Sequence, residues 1–132
     1  MGNFQKHLEL AKEKLDATVS AYYNKQITVV RDLGRKVVEQ LVEADAARNN
    51  EQFGDHISRH EYSNKNFPFK INKAMRKIWF AYADLDYDGV NGKKAQAVID
   101  NLKIIVSFLK KNSILRSMKR ILKKYHEWSE FS

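Results

Sequence analysis

Asp84, Asp86, Asp88 and Gly89 place oxygens at alternate positions and end on a glycine. That is the order of positions 1, 3, 5 and 6 in a calcium-binding helix–loop–helix. The order then departs. Asn91 stands where an aliphatic residue belongs, and Ala95 replaces the glutamate that would supply two further oxygens. The expectation is a tight turn at a helix end without tight calcium binding, so that Asp88→Ala acts through the turn. His56 and His60, flanked by Asp55 and Glu61, lie four apart. On a helix this turns both imidazoles to one face, where a transition metal could sit. The zinc-protease order is missing, since Ile57 rather than a glutamate follows the first histidine, and a third ligand would have to come from elsewhere. Two exposed histidines in a polar segment, with no metal, are expected here.

Charge gives a further signal. The net charge is +8, yet residues 1–100 hold 16 Lys/Arg against 14 Asp/Glu. The excess lies in residues 101–126, where Lys103, Lys110, Lys111, Arg116, Lys119, Arg120, Lys123 and Lys124 occur without an acid. Charge concentrated in this way suits an anionic partner. Within a helix at about 113–128, Arg116, Lys119, Arg120 and Lys123 form one stripe by three-four spacing, beside the apolar positions Ile114, Leu115, Met118, Ile121, Leu122 and Tyr125. Four cations in a row can meet consecutive phosphates without reading bases. The plainer alternative is a solvated face whose lysine stems cover apolar surface.

The elements that position these groups follow from hydrophobic periodicity. Phe4, Leu8, Ala11, Leu15, Val19 and Tyr22 step by three and four, as do Ile27, Val30, Gly34, Val37, Leu41 and Ala44. Both stripes predict helices, separated by a turn at Asn24-Lys25-Gln26. Gly34 costs roughly 1 kcal/mol against Ala in a helix interior, and its place on the apolar stripe predicts close approach to a neighbour. Arg48-Asn49-Asn50 ends the second helix, and the polar stretch up to Pro68 reads as a short exposed helix or irregular loop. Pro68 favours an extended Phe67 and can start the next helix. That helix carries a bulky face of Phe69, Ile71, Met75, Ile78, Trp79, Tyr82 and Leu85, with the Trp79, Phe80, Tyr82 and Tyr87 cluster read as core. A further helix from near Asn91 uses Ala95, Val98, Ile99, Leu102, Ile105, Val106 and Leu109, and Asn112-Ser113 separates it from the basic helix.

At 132 residues, with 43% hydrophobic and 11% aromatic content, the chain suits one folded domain over 1–132. The absence of cysteine excludes disulfides and thiolate metal sites. No apolar run approaches a membrane span, and Lys6, His7 and Glu9 stand where a signal peptide needs an apolar core, so no membrane association and a cytoplasmic location are expected. The glycines do not cluster as a phosphate loop requires.

Taken in order, FQKHLELAKEKLDATVSAYY, VVRDLGRKVVEQLVEADAA and AYADLDYDGVNGKKAQAVIDNLKIIVSFL resemble the first helices, the tyrosine-rich helix end with its acidic DY step, and the following helix of the HEPN (higher eukaryotes and prokaryotes nucleotide-binding) superfamily. The resemblance spans roughly residues 4–110. It implies an all-α bundle, commonly dimeric, with a nucleotidyltransferase partner in toxin–antitoxin systems. Many such domains are metal-independent ribonucleases whose signature is an Arg followed by a His after four to six residues. Only Arg120 and His126 match that spacing here, with Ile121 in the place of the usual polar residue.

The expected fold is therefore all-α, an antiparallel bundle of four to five helices. The leading functional expectation is a non-catalytic HEPN-like binding module, dimeric, engaging RNA, DNA or a nucleotidyltransferase. It needs no cofactor and uses Arg116, Lys119, Arg120 and Lys123 as its nucleic-acid contacts. The alternatives are a metal-independent ribonuclease using Arg120 and His126, and a helical protein–protein interaction domain with no role in nucleic-acid binding.

Overall fold

A computed structural model describes residues 3–83 and 93–111, with side chains described for 4–80 and 93–108. It contains α1 (Asn3–Tyr23), α2 (Ile27–Ala47), α3 (His56–Asn66), α4 (Phe69–Ala83) and α5 (Lys93–Lys111). No strand occurs among the described residues, and the packed helices form the expected all-α bundle. The basic helix expected at about 113–128 and the Asp84/Asp86/Asp88 turn lie outside the described residues.

The first two stripes become a helical hairpin. A turn of three residues leaves α2 no course except back along α1. His7 Nδ1 on α1 lies 2.6 Å from Gln40 Oε1 near the far end of α2, as antiparallel register requires. The turn closes as a Schellman motif. Gln26 N–H donates to Ala21 O at 2.9 Å and Lys25 N–H to Tyr22 O at 3.1 Å, while Lys25 takes the left-handed conformation at φ 59°. The same bonds end α2, from Glu51 N–H to Ala46 O and from Asn50 N–H to Ala47 O, with Asn50 at φ 60°.

The core is continuous from Leu8, Ala11 and Leu15 through Val30, Val37, Val38 and Val42 to Ile71, Met75, Ile78, Val98, Leu102 and Ile105. Gly34 lets α2 meet α5, since a Cβ at that position would overlap Val98 Cγ1 and reach Ile78 Cγ2 at 3.6 Å. The close approach predicted from its place in the stripe is what the structure shows. Tyr22 Oη donates to Gln96 Oε1, tying the end of α1 to α5.

The segment before Pro68 takes the helical one of the two expected forms, but it is not wholly exposed. It forms α3, with Tyr62 and Ser63 buried. Asp55 caps its N-terminus by accepting from Ser58 N–H at 2.9 Å. Phe67 is extended at φ −108°, ψ 149°, as a residue before proline should be. Ser63 Oγ accepts from Asn72 Nδ2 at 2.8 Å and donates to Met75 Sδ at 3.4 Å, fastening α3 to α4. Its polar residues divide between solvent, which Glu61, Asn64, Lys65 and Asn66 face, and protein partners such as those of Ser63 and Arg59.

Two aromatic assignments are corrected. Trp79 is core, with 1% of its surface exposed, but Phe80 is 63% exposed and Phe69 72% exposed. The buried face of α4 runs through Ile71, Ala74, Met75, Ile78 and Trp79. At 3.6 residues per turn that face leaves Phe69 and Phe80 on the opposite side.

Candidate nucleic-acid interface

Helix α4, FKINKAMRKIWFAYA, contains four cations and no acid. Its period gathers Arg76, Phe69, Phe80, Lys73, Lys77 and Lys70, in that order, within about 120° of arc, centred opposite the buried face. Lys70, Lys73 and Lys77 are exposed and Arg76 is half-buried. Phe69 and Phe80 stand eleven residues apart, about 16 Å along the axis, with the cations between them. Two large exposed aromatic rings thus flank a row of positive charge, which combines the stacking faces and the cations that single-strand binding surfaces use.

Sequence reasoning missed this face because each part looked ordinary alone. Its cations are offset by acids elsewhere in residues 1–100, Phe69 fitted a wide apolar stripe, and Phe80 fell in an aromatic cluster read as core. The signal available was the complete lack of acid along fifteen residues.

A second unexpected feature lies between α2 and α3. Glu43 is 2% exposed, on the face of α2 that the stripe marks as apolar. Its Oε2 receives Arg59 Nε at 2.7 Å, and its Oε1 accepts from Phe53 N–H at 3.0 Å. Glu39 Oε2 takes Arg35 at 3.0 Å and Arg59 at 3.6 Å. The Arg59 guanidinium, held by two carboxylates of α2, thus pins α3 onto α2 and fixes the face that α3 turns towards α4.

That face carries His56 and His60. Their Nε2 atoms lie 3.0 Å apart. Both histidines lie in α3 rather than in a loop, and the expected exposure holds for His56 alone. His60 is half-buried, its ring 3.9 Å from the Trp79 ring at an interplanar angle of 34°. Burial, with the charges of His56 and Arg76, holds the His60 imidazole below its ordinary pKa. Tyr62, on another side of α3, donates from Oη to Asp45 Oδ2 at 2.6 Å and accepts from Asn49 Nδ2 at 3.2 Å. Burial first, then the hydrogen bond to Asp45 and its charge, pushes the phenol pKa well up. Beside it lies an open pocket of about 240 Å³ lined by residues including Glu51, Phe53, Glu61, Tyr62 and Lys65. Asp55 lies below the usual carboxylate range, chiefly because the Ser58 N–H donates to it.

Arg116, Lys119, Arg120, Lys123 and His126 lie outside the described residues. Among the described residues no helix is long and apolar enough to cross a membrane, and no three His, Asp or Glu side chains converge on a common metal position. Comparison with known proteins finds no family, no curated relative and no solved structure that the chain matches.

Proposed function

We propose that the chain is a non-catalytic, HEPN-like helical module that binds nucleic acid and works as a homodimer. The observation that carries the binding reading is the solvent face of α4, where Lys70, Lys73, Arg76 and Lys77 lie between exposed Phe69 and Phe80. Cations spaced along one helix face attract consecutive phosphates, and the rings offer stacking surfaces that any base can use. Unpaired bases stack more readily than paired ones, so single strands are the favoured ligand. The acid-free run through residues 101–126, with the Arg116/Lys119/Arg120/Lys123 stripe, adds positive charge on the same chain. The HEPN-like order of sequence patterns supports the dimeric, partner-binding part of the reading.

Gel-shift titration with unrelated single-stranded RNA and DNA at low salt tests it. Wild type should bind with little sequence preference and a steep loss on added salt. The Lys70/Lys73/Lys77 triple Ala variant should lower the salt slope by about 2, at roughly 0.7 for each phosphate no longer neutralised on a single strand. The Phe69/Phe80 double Ala variant should weaken single-strand binding more than duplex binding. The Arg116/Lys119/Arg120/Lys123 quadruple Ala variant measures the second stripe in the same assay. No binding by wild type, or equal binding by all four proteins, overturns the reading and leaves an acidic protein such as a nucleotidyltransferase as the partner to test. RNA cleavage without metal that is abolished in His126→Ala would show the ribonuclease alternative instead.

A further inference from the structure

The His56–His60 pair belongs to neither the core nor the basic face. The two side chains come from one helix at four-residue spacing, and their Nε2 atoms face each other at 3.0 Å. Both rings lean on the same buried indole. The His60 centroid is 3.9 Å and the His56 centroid 5.8 Å from Trp79, the latter edge-on at 81°. Trp79 is 1% exposed, so it is a fixed support. The backbone support is equally firm, since Arg59, between the two histidines, is tied to Glu43 and Glu39 on α2. These imidazoles are held in place by packing beneath them.

The separation has a chemical meaning. Two imidazole nitrogens on one transition-metal ion lie about 2.0–2.1 Å from it. Two nitrogens held 3.0 Å apart can therefore both reach one ion from the same helix face. Imidazole nitrogen suits copper(II) and nickel(II), which stand high in the affinity order of the divalent first-row ions. The geometry points to a binding site for copper(II) or nickel(II) at His56 and His60, with water in the remaining positions.

No third His, Asp or Glu among the described residues converges there, so the ion keeps an exchangeable hydration sphere and is held by two protein bonds. Binding replaces the hydrogen bond between the two rings. Each Nε2 then gives its lone pair to the ion, and each ring carries its proton on Nδ1. Arg76 acts electrostatically on His60 and opposes an incoming cation. The site is independent of the nucleic-acid reading, although it adjoins the Arg76 edge of the same helix.

Copper(II) and nickel(II) titrations followed by calorimetry and by Trp79 fluorescence test the inference. Trp128→Phe as background leaves Trp79 as the sole indole, since the chain has two tryptophans. The expected result is one ion per chain with strong quenching of Trp79, because the ion would lie beside the ring stacked on it. His56→Ala and His60→Gln should each weaken binding at least tenfold. Arg76→Ala should tighten it severalfold, and His7→Ala with His126→Ala should leave it unchanged. His56 is exposed, so His56→Ala keeps the fold and separates loss of ligation from loss of structure. Absence of binding at millimolar metal, binding without quenching, or binding unchanged in both histidine variants would overturn the assignment.

Discussion

Arg59 Nε on α3 lies 2.7 Å from Oε2 of Glu43 on α2, and only 2% of the Glu43 side chain is exposed. This pair determines how α3 sits. Removing the guanidinium would leave a buried carboxylate with only the Phe53 amide as a neutral donor. An unpaired buried charge is far more costly than the net contribution of the pair that it came from. Arg59→Ala should therefore destabilise the fold by about 3 kcal/mol. Arg59→Met with Glu43→Leu should recover most of that loss. Chemical denaturation of the two variants measures both; equal destabilisation would show that the pair itself, rather than the orphaned charge, supplies the stability.

Gly34 gives a second prediction. An added methyl group would overlap Val98 Cγ1, at a point where α2 and α5 already touch. Helix propensity alone favours Ala over Gly by roughly 1 kcal/mol. Overpacking at a closed contact costs about 1–3 kcal/mol, so the clash should win and Gly34→Ala should lower stability. Val98→Ala made together with Gly34→Ala should restore part of it. A gain in melting temperature for Gly34→Ala alone would show that the two helices can separate at little cost.

Tyr62 predicts an alkaline dependence. Its folded pKa is raised, so the native state holds the phenol proton more tightly than the unfolded chain does. The stabilisation is complete below the unfolded value of about 10 and declines as pH rises above it. At pH 8, Tyr62→Phe should cost about 1 kcal/mol for the hydrogen bonds to Asp45 and Asn49 that it removes. Above pH 10 the difference between wild type and variant should narrow. Denaturant titrations at pH 8 and pH 11 compare them, and a constant difference would mean that the phenol ionises freely in the fold.

The two Schellman turns predict unequal gains. Lys25 and Asn50 both hold positive φ, where a side chain strains the backbone and glycine does not. Asn tolerates this conformation better than Lys does. Lys25→Gly should stabilise by up to about 1 kcal/mol, and Asn50→Gly by less. Thermal unfolding of the two single variants ranks them, with the reverse order counting against the strain argument.

Much of the helical plan was legible because periodicity is a local property. The stripes of α1 and α2, the break at Asn24-Lys25-Gln26 and the extended Phe67 before Pro68 each follow from residues within a few positions of one another. Helix α3 was only half legible. Its cap at Asp55 is local, but Ser63 is buried because Asn72 and Met75 on α4 receive it. A polar stretch carries no mark of whether its partners will be water or protein.

The class of fold, the need for a glycine where two helices meet, and the concentration of charge in residues 101–126 are properties of the sequence alone. Which way the ambiguous residues face was settled by tertiary packing. A wide apolar stripe admits more side chains than the core has room for, so Trp79 goes inward while Phe69 and Phe80 go outward beside the lysines of α4. Glu43 goes inward because Arg59, sixteen residues away, arrives to neutralise it. His56 and His60 become a fixed pair because Trp79 lies beneath them. In each case the deciding neighbour comes from another helix, and pairing at such distance depends on how the helices pack, which no local pattern records.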